Sequence, residues 1–288
     1  MANQSSRDKA GDVGAASPHL DSGERDQAAQ HAAPRGLVIH EIIREDGELD
    51  LSRTASALAF SGLAAGLSLG FSFLGEALLR ASLPPSIWRH TVDSFGYSIG
   101  FIIVILGRQQ LFTESTLTAI LPVVTRLDRK TFTLAGRLWA IVLAANMVGA
   151  WIFAGLLTIP GAFPPPIMQS LHDIAAETMA GSFTATMLKA FFAGWLIALM
   201  VWILPSARSA RLWTILIITY MVALGHLPHI IAGSAEGGYG VMVGLGTIKT
   251  YLLQFALPTL CGNILGGVLL VTVLNHGSIA PEMQGRSQ

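Results

Sequence analysis

The sequence has few charged residues and almost no cysteine. Only 12% of its 288 residues are Asp, Glu, Lys or Arg, whereas about 25% is usual for a soluble domain. The one cysteine, Cys261, excludes an internal disulfide framework and a metal site built from several cysteines. Lys and Arg number 18, as do Asp and Glu, so no excess of positive charge marks nucleic acid as a partner. Residues 1–40 contain no apolar stretch of the signal-peptide kind.

Long apolar runs take the place of those charges. Hydrophobic residues make up 52% of the chain, and the mean hydropathy is +0.56. Because a helix of roughly 20 apolar residues crosses a bilayer core, the pattern predicts an all-α polytopic membrane protein. The six predicted spans are 55–79, 95–125, 132–157, 179–204, 211–235 and 251–274.

Composition divides the chain into four parts. Residues 1–40 are rich in Ser, Asp, Gln, Ala and Gly, which predicts a disordered cytoplasmic tail. Residues 41–54 are predicted to form a short amphipathic lead-in, 55–275 the six-helix transmembrane channel domain, and 276–288 a cytoplasmic C-terminal tail.

Positive charge sets the expected orientation in the membrane. The connection at 158–178 has no Lys or Arg, whereas the connections on the other side are basic. Since Lys and Arg favour the cytoplasmic side, 158–178 is expected outside and both termini inside, in the cytoplasmic (inner) membrane. The basic residues of those connections are Arg126, Arg129, Lys130, Arg208 and Arg211.

An internal repeat relates the two halves. "ANMVGA" (145–150) in span three matches "GNILGG" (262–267) in span six, which pairs Asn146 with Asn263. Both span two, at "GRQQ" (107–110), and span five, at "GHLPH" (225–229), are interrupted. Three spans per half imply an inverted 3+3 repeat with broken second and fifth helices, an arrangement typical of transporters and channels.

The offset between the two asparagines also aligns the two breaks. Applied to span two, it places Leu111, Phe112 and Thr113 on Pro228, His229 and Ile230. His229 is therefore predicted to lie opposite Phe112, where the interrupted helices must face protein or a watery cavity rather than lipid.

Four of these motifs resemble those of the formate/nitrite transporter family. They are "GRQQLFTESTL" (107–117), "HIIAG" (229–233), "ANMVGA" and "CGNILGG" (261–267), and the resemblance runs from about residue 55 to residue 275. It implies an aquaporin-like protomer in a homopentamer, with one pore per protomer for small monovalent anions such as formate or nitrite. It also implies a constriction formed by Leu111, Phe112 and Thr113 on one side and His229 on the other.

Two positions depart from the family pattern. The family has a lysine near the outer start of helix four, where this chain has Thr178 beside Glu177, and an asparagine inside helix four, where it has Gly194. An entering anion would therefore meet a carboxylate at a place where the family offers a cation.

The candidate residues receive separate roles. His229 can donate a hydrogen bond to an anion or exchange a proton with it, and Thr113 supplies a hydroxyl donor. Leu111 and Phe112 can form an apolar gate. The remaining assignments are a structural or vestibule role for His226, backbone support by Asn146 and Asn263, and ion pairs Glu76–Arg80 and Arg108–Glu114.

The sequence thus favours a channel or proton-linked transporter for small monovalent anions or weak acids, without cofactor or metal. Its partners are the solute, protons, the lipid bilayer and further copies of the chain. A pore for neutral solutes or undissociated acids remains an alternative. A second alternative is an intramembrane metallohydrolase using His226, His229 and Glu236, which lacks the His-Glu-x-x-His core of such enzymes.

Overall fold

A computed structural model describes residues 17–270 apart from residue 33, and these residues form helices and connecting turns without any strand. This confirms the predicted all-α membrane fold. The helices are α1 (Ser22–His31), α2 (Gly36–Ser52), α3 (Ala55–Ser82), α4 (Arg89–Leu106), α5 (Phe112–Thr118), α6 (Ile120–Arg126), α7 (Arg129–Leu157), α8 (Pro165–Met179), α9 (Phe183–Ala207), α10 (Arg211–Leu224), α11 (Ala232–Met242), α12 (Ile248–Thr250) and α13 (Leu257–Leu270).

Four continuous helical stretches are long and apolar enough to cross a membrane: Ala55–Ser82, Arg129–Leu157, Phe183–Leu224 and Ile248–Leu269. The third contains two helices, because the chain turns at Arg208 and α10 packs back against α9. The fourth joins α12 to α13 through a π-helical segment, Tyr251–Ala256. Two broken pairs, α4 with α5 and α10 with α11, occupy the places of the predicted second and fifth spans.

The segments before the first span are more helical than the sequence analysis predicts. Helix α1 lies inside the predicted disordered tail, and a capping box stabilises its start, since Asp21 accepts from Glu24 N–H and Glu24 accepts from Asp21 N–H. Helix α2 begins at Gly36 rather than at the predicted residue 41, and buries Ile39, Ile43 and Leu51. The predicted C-terminal tail, 276–288, lies outside the described residues.

The connection at 158–178 contains a helix that apolar run lengths do not predict. Helix α8 begins at Pro165, a residue that suits the first helical turn. Its buried residues recur every three to four positions (Leu171, Ile174, Ala175 and Met179), while its other face carries charges. Helix α8 packs against α3 and α11, so it covers the outer end of the bundle.

The two halves pack in the same way. Helix α3 packs along α7 in the first half, and α9 packs along α13 in the second. Close approach depends on a glycine at equivalent places in the two halves. A Cβ on Gly66 would overlap the carbonyl oxygen of Asn146, and a Cβ on Gly194 that of Asn263. The glycine at 194, where the family pattern has asparagine, therefore allows direct contact between helix backbones.

Candidate functional site: a constriction between two broken helices

The two broken helices have the same backbone geometry. Gly107 caps the C-terminus of α4 and Gly225 that of α10, and each cap is followed by a residue with positive φ, Arg108 at 50° and His226 at 45°. Such values are uncommon for residues other than glycine. The peptide N–H groups of Gln109 and Leu227 both donate to carbonyl oxygens five residues earlier. The two breaks therefore have a defined backbone conformation, which is the same in both halves.

Two asparagines hold the freed backbone after each break. Asn146 Oδ1 accepts from the N–H of Phe112 at 2.9 Å, and its Nδ2 donates to the Gln110 and Gly62 carbonyl oxygens. Asn263 repeats this pattern with Ile230 N–H at 2.8 Å and with the carbonyl oxygens of two further residues, Pro228 and Ala190. Both asparagines are fully buried. These bonds confirm the predicted support of the backbone. They also provide hydrogen-bond partners for peptide N–H and C=O groups that would find none in lipid.

The same bonds correct the predicted register by one residue. Asn146 binds the N–H of Phe112, whereas Asn263 binds the N–H of Ile230. Phe112 is therefore equivalent to Ile230, and His229 is equivalent to Leu111 rather than to Phe112. The error arises because the segment from the first break to its asparagine is one residue longer than the segment from the second break.

Thr113 and His229 join the two breaks. Nε2 of His229 lies 2.7 Å from Oγ1 of Thr113, and both side chains are 1% exposed. Nδ1 of the same ring accepts from the Ala232 N–H at 3.3 Å, so the proton of the neutral imidazole resides on Nε2 and is donated to Thr113. The hydroxyl hydrogen of Thr113 is then available to a solute.

Leu111 and Phe112 lie beside this contact and are closed to solvent. Each is 1% exposed, and Phe112 packs edge-on against Trp139 with ring centroids 5.8 Å apart. On the His229 side, Phe101 approaches the imidazole at a centroid distance of 4.9 Å. The Thr113–His229 contact is thus surrounded by apolar side chains, which is the environment that a gate of the dewetting kind requires.

A cavity of about 830 Å³ leads to the constriction from the side of α8. His229 contributes to its wall, whereas Leu111, Phe112 and Thr113 do not. His226, Glu177 and Thr178 also line this cavity. The structure therefore brings His229, His226, Glu177 and Thr178 to one cavity, and the hydrogen bond of His229 links the cavity wall to Thr113.

Arg80 is the centre of an ion-pair network in this cavity. Its guanidinium contacts Glu177 at 2.9 Å, Asp93 at 2.9 Å and Glu76 at 3.2 Å. The predicted Glu76–Arg80 pair is confirmed. Thr178 donates a short hydrogen bond to Glu236. The guanidinium of Arg80 is thus surrounded by three carboxylates.

His226 lies in the outer cavity and stacks on another histidine. Its ring is parallel to that of His90, with an interplanar angle of 4° and a centroid separation of 4.1 Å. The ring nitrogens of His226 do not point to a common position with those of His229. Both ring nitrogens of His229 are already hydrogen-bonded. The His226, His229 and Glu236 arrangement considered for a metallohydrolase is therefore not assembled.

The opposite side of the constriction is covered by α2. Asp50 Oδ1 accepts from Gln110 Nε2 at 2.6 Å, which ties α2 to the first break, and burial raises the pKa of Asp50. Arg108 pairs with Asp46 on α2 at 3.8 Å. The predicted Arg108–Glu114 pair is wrong, because the side chain of Arg108 is directed to α2. The backbone at this residue has positive φ.

Sequence reasoning missed the residues that build the cavity wall. These residues are Asp93, His90 and Arg89. All three lie at the start of α4, within the six residues that precede the predicted start of span two. The signal that could have found them is the presence of ionisable residues at the edge of an apolar run, which usually marks a functional or paired position.

The fold and site define a class of protein: a polytopic membrane channel or transporter that contains two broken helices of matching geometry. The sequence profile described as "Formate/nitrite transporter" matches residues 38–277. The chain therefore belongs to the formate/nitrite transporter family, whose members are transporters rather than enzymes.

Individual relatives agree with this assignment. The chain is 38% identical over 252 residues to the inner membrane protein YfdC of Escherichia coli (strain K12), covering 88% of this chain and 81% of that protein. It is 25% identical over 244 residues to the formate channel FocA of Haemophilus influenzae, covering 75% and 84% of the two chains. A solved structure described as a pentameric formate channel with formate bound matches the fold with a TM-score of 0.63 at 18% identity, covering 76% of this chain and 95% of that one.

Proposed function

We propose that this protein is a channel or proton-linked transporter that passes small monovalent anions and weak acids of the formate or nitrite type. The observation that carries the proposal is the Thr113–His229 hydrogen bond at the end of the outer cavity. It places one hydroxyl donor and one imidazole at a direct contact between the two breaks. The names of the relatives, formate channels among them, support this solute class.

The path through the constriction follows from the energetics of dehydration. A small anion enters the wet cavity and loses water as it passes the apolar ring of Phe101, Leu111 and Phe112. The Thr113 hydroxyl and the His229 imidazole offset part of that loss with hydrogen bonds. Protonation of the anion, by a proton from the water of the cavity that arrives directly or is first taken up by His229, gives a neutral acid that crosses at lower cost, because burying a charge costs far more than burying a neutral polar group.

The assembly and orientation belong to the same proposal. A homopentamer with one pore per protomer is supported by the pentameric formate channel that the fold matches and by the large apolar side chains exposed on the outer helix faces, including Phe60, Ile217 and Leu265. The absence of Lys and Arg from 158–178 supports an outward-facing cavity and cytoplasmic termini in the inner membrane, and the named inner membrane relative supports that location.

The charge of the cavity favours a second candidate, a pore that passes neutral solutes or undissociated acids only. Five carboxylates and three Lys or Arg side chains line the cavity, which leaves a formal charge of −2 with neutral histidines. Such a charge attracts cations and repels anions. The charged lining residues are Glu76, Asp93, Asp173, Glu177, Glu236, Arg80, Arg89 and Lys189.

Uptake into proteoliposomes separates the two candidates. The purified protein is reconstituted, and the entry of formate, nitrite, acetate, lactate, chloride and urea is measured at two values of pH. We expect formate and nitrite to enter faster than in protein-free liposomes, with formate entry rising as the pH falls, because the neutral acid crosses the apolar step at lower cost.

Each other outcome assigns a different function. Rapid entry of urea together with slow entry of nitrite at both pH values would indicate a pore for neutral solutes. Equal rates in protein-containing and protein-free liposomes for all six solutes would contradict a transport function for this solute class.

A further inference from the structure

The Arg80 network carries more negative charge than its one guanidinium balances. Glu76 and Asp93 are 7% and 1% exposed, and they share Arg80 with the half-exposed Glu177. With all three carboxylates ionised, the four side chains have a formal charge of −2. Because an unbalanced charge away from water is costly, buried charges are normally paired or bound to metal ions. One divalent cation would therefore balance the formal charge of the network.

One oxygen of Asp93 is positioned to receive that cation. Asp93 Oδ2 accepts from Arg80 Nε at 2.9 Å, whereas Oδ1 has no hydrogen-bond partner anywhere in the described chain. The residue belongs to the wall of the outer cavity. Arg80 contacts Glu76 at its Oε1, at 3.2 Å. Arg80 thus engages one oxygen of each carboxylate.

His90 adds a nitrogen to the same place. Its Nε2 lies 3.2 Å from the carbonyl oxygen of Leu224, which can only accept, so Nε2 carries the proton of the neutral ring. Nδ1 then has a free lone pair, and it too is without a hydrogen-bond partner among the residues described. Metal-binding histidines usually donate their second N–H to a carbonyl or carboxylate in this way.

We propose that Glu76, His90 and Asp93 bind one divalent transition-metal ion per protomer, with Zn²⁺ as the best match. One ligand atom from each of the three residues lies within 4.8 Å of the other two. Nδ1 of His90 and Oδ1 of Asp93 are 3.4 Å apart, and two ligands about 2.1 Å from a tetrahedral zinc ion are separated by about 3.4 Å. Imidazole with two carboxylates suits zinc better than magnesium or calcium, which prefer oxygen ligands.

The bound ion changes the electrostatics of the entry path. It neutralises the formal charge of −2 in the Arg80 network, and its remaining coordination position faces the cavity. This consequence rests on the proposed function, because it replaces the positive charge that the family's lysine would offer an entering anion. The binding site itself depends only on the geometry of the three ligands.

Zinc binding to the purified, detergent-solubilised full chain tests the site directly. We expect saturable binding of one Zn²⁺ per protomer by isothermal titration calorimetry. His90→Gln and Glu76→Gln are each expected to weaken binding at least tenfold, since loss of an outer-sphere partner alone typically costs about 10–100-fold. His172→Ala is the matched control, because His172 is exposed on α8 on the same side of the protein and is absent from the cluster.

Spectroscopy distinguishes this site from other zinc-binding positions. Zinc-edge X-ray absorption should show nitrogen and oxygen ligands at about 2.0–2.2 Å, including one imidazole that disappears in His90→Gln. Unchanged affinity in both glutamine variants, with size-exclusion profiles like that of the wild type, would overturn the site. The absence of one-to-one binding in the wild-type protein would overturn it too. Neither result depends on whether the protein transports formate.

Discussion

His229→Ala is expected to reduce formate flux by about 10- to 100-fold, while the oligomer remains intact. Hydrogen bonds to charged groups are worth roughly 1.5–3 kcal/mol, which corresponds to this range in rate at about 1.4 kcal/mol per factor of ten. Removing the imidazole takes away the Nε2 group that positions Thr113. Uptake into proteoliposomes at matched protein content measures the loss.

Matched substitutions separate the hydrogen bond from the shape of the site. Thr113→Ser keeps the hydroxyl and should retain most of the flux, whereas Thr113→Val keeps the shape and should lose it. His229→Asn preserves hydrogen bonding but cannot titrate between about pH 5 and 8. Loss of pH dependence in this variant indicates proton exchange with His229; retained pH dependence at an altered rate indicates protonation by water. Wild-type flux and pH profile in His229→Ala, together with an inactive His226→Ala, would falsify the site assignment.

Asn146→Ala and Asn263→Ala are expected to destabilise the protein by about 3 kcal/mol or more each. Each of these two asparagines makes three hydrogen bonds to backbone groups, two at a break and one on a neighbouring helix, and each buried group left without a partner costs roughly 1–3 kcal/mol. The midpoint of thermal unfolding in detergent should fall clearly in both variants, accompanied by loss of the assembled oligomer.

A substitution in the same helix serves as the control for Asn146. Gly136→Ala adds a methyl group to α7 at a position with no atom within 4 Å, and alanine favours helix over glycine by roughly 0.5–1 kcal/mol. The control should therefore unfold at or slightly above the wild-type temperature. If both asparagine variants unfold at the wild-type temperature, the breaks are held by packing rather than by these bonds.

The sequence predicts the repeated parts of the fold well. Apolar run lengths locate the long helices and the two broken ones, and the small–Asn–x–apolar–Gly–small motif locates both asparagine supports. The same motif cannot reveal an additional residue between a break and its asparagine, which is why the register at His229 differs by one. That residue is visible only in the hydrogen bonds to Phe112 and Ile230.

The outer cavity was less predictable, because its residues are far apart in the chain. Glu76 and Arg80 are four residues apart on one helix, and such spacing predicts a pair. Glu177 is 97 residues from Arg80, and its contact depends on how α8 packs against α3. Helix α8 itself has too many polar residues to stand out by hydropathy, although its buried residues follow helical spacing. Long-range contacts of this kind come from packing and not from a local pattern.

The central claim is that solute crosses each protomer through the outer cavity and the Thr113–His229 constriction. Chemical modification of a cysteine in the cavity tests it most directly. In a Cys261→Ala background, which removes the chain's one cysteine, Ala185→Cys places a thiol on the exposed cavity wall. Ala162→Cys places a thiol at an exposed position in the connection between α7 and α8, outside the residues that line the cavity.

Both variants are treated with a bulky methanethiosulfonate reagent before reconstitution, and formate uptake is compared with that of untreated protein. The account predicts that modification at position 185 removes most of the flux, whereas complete modification at position 162 leaves it unchanged. Full labelling at position 185 with undiminished formate uptake would contradict a path through this cavity.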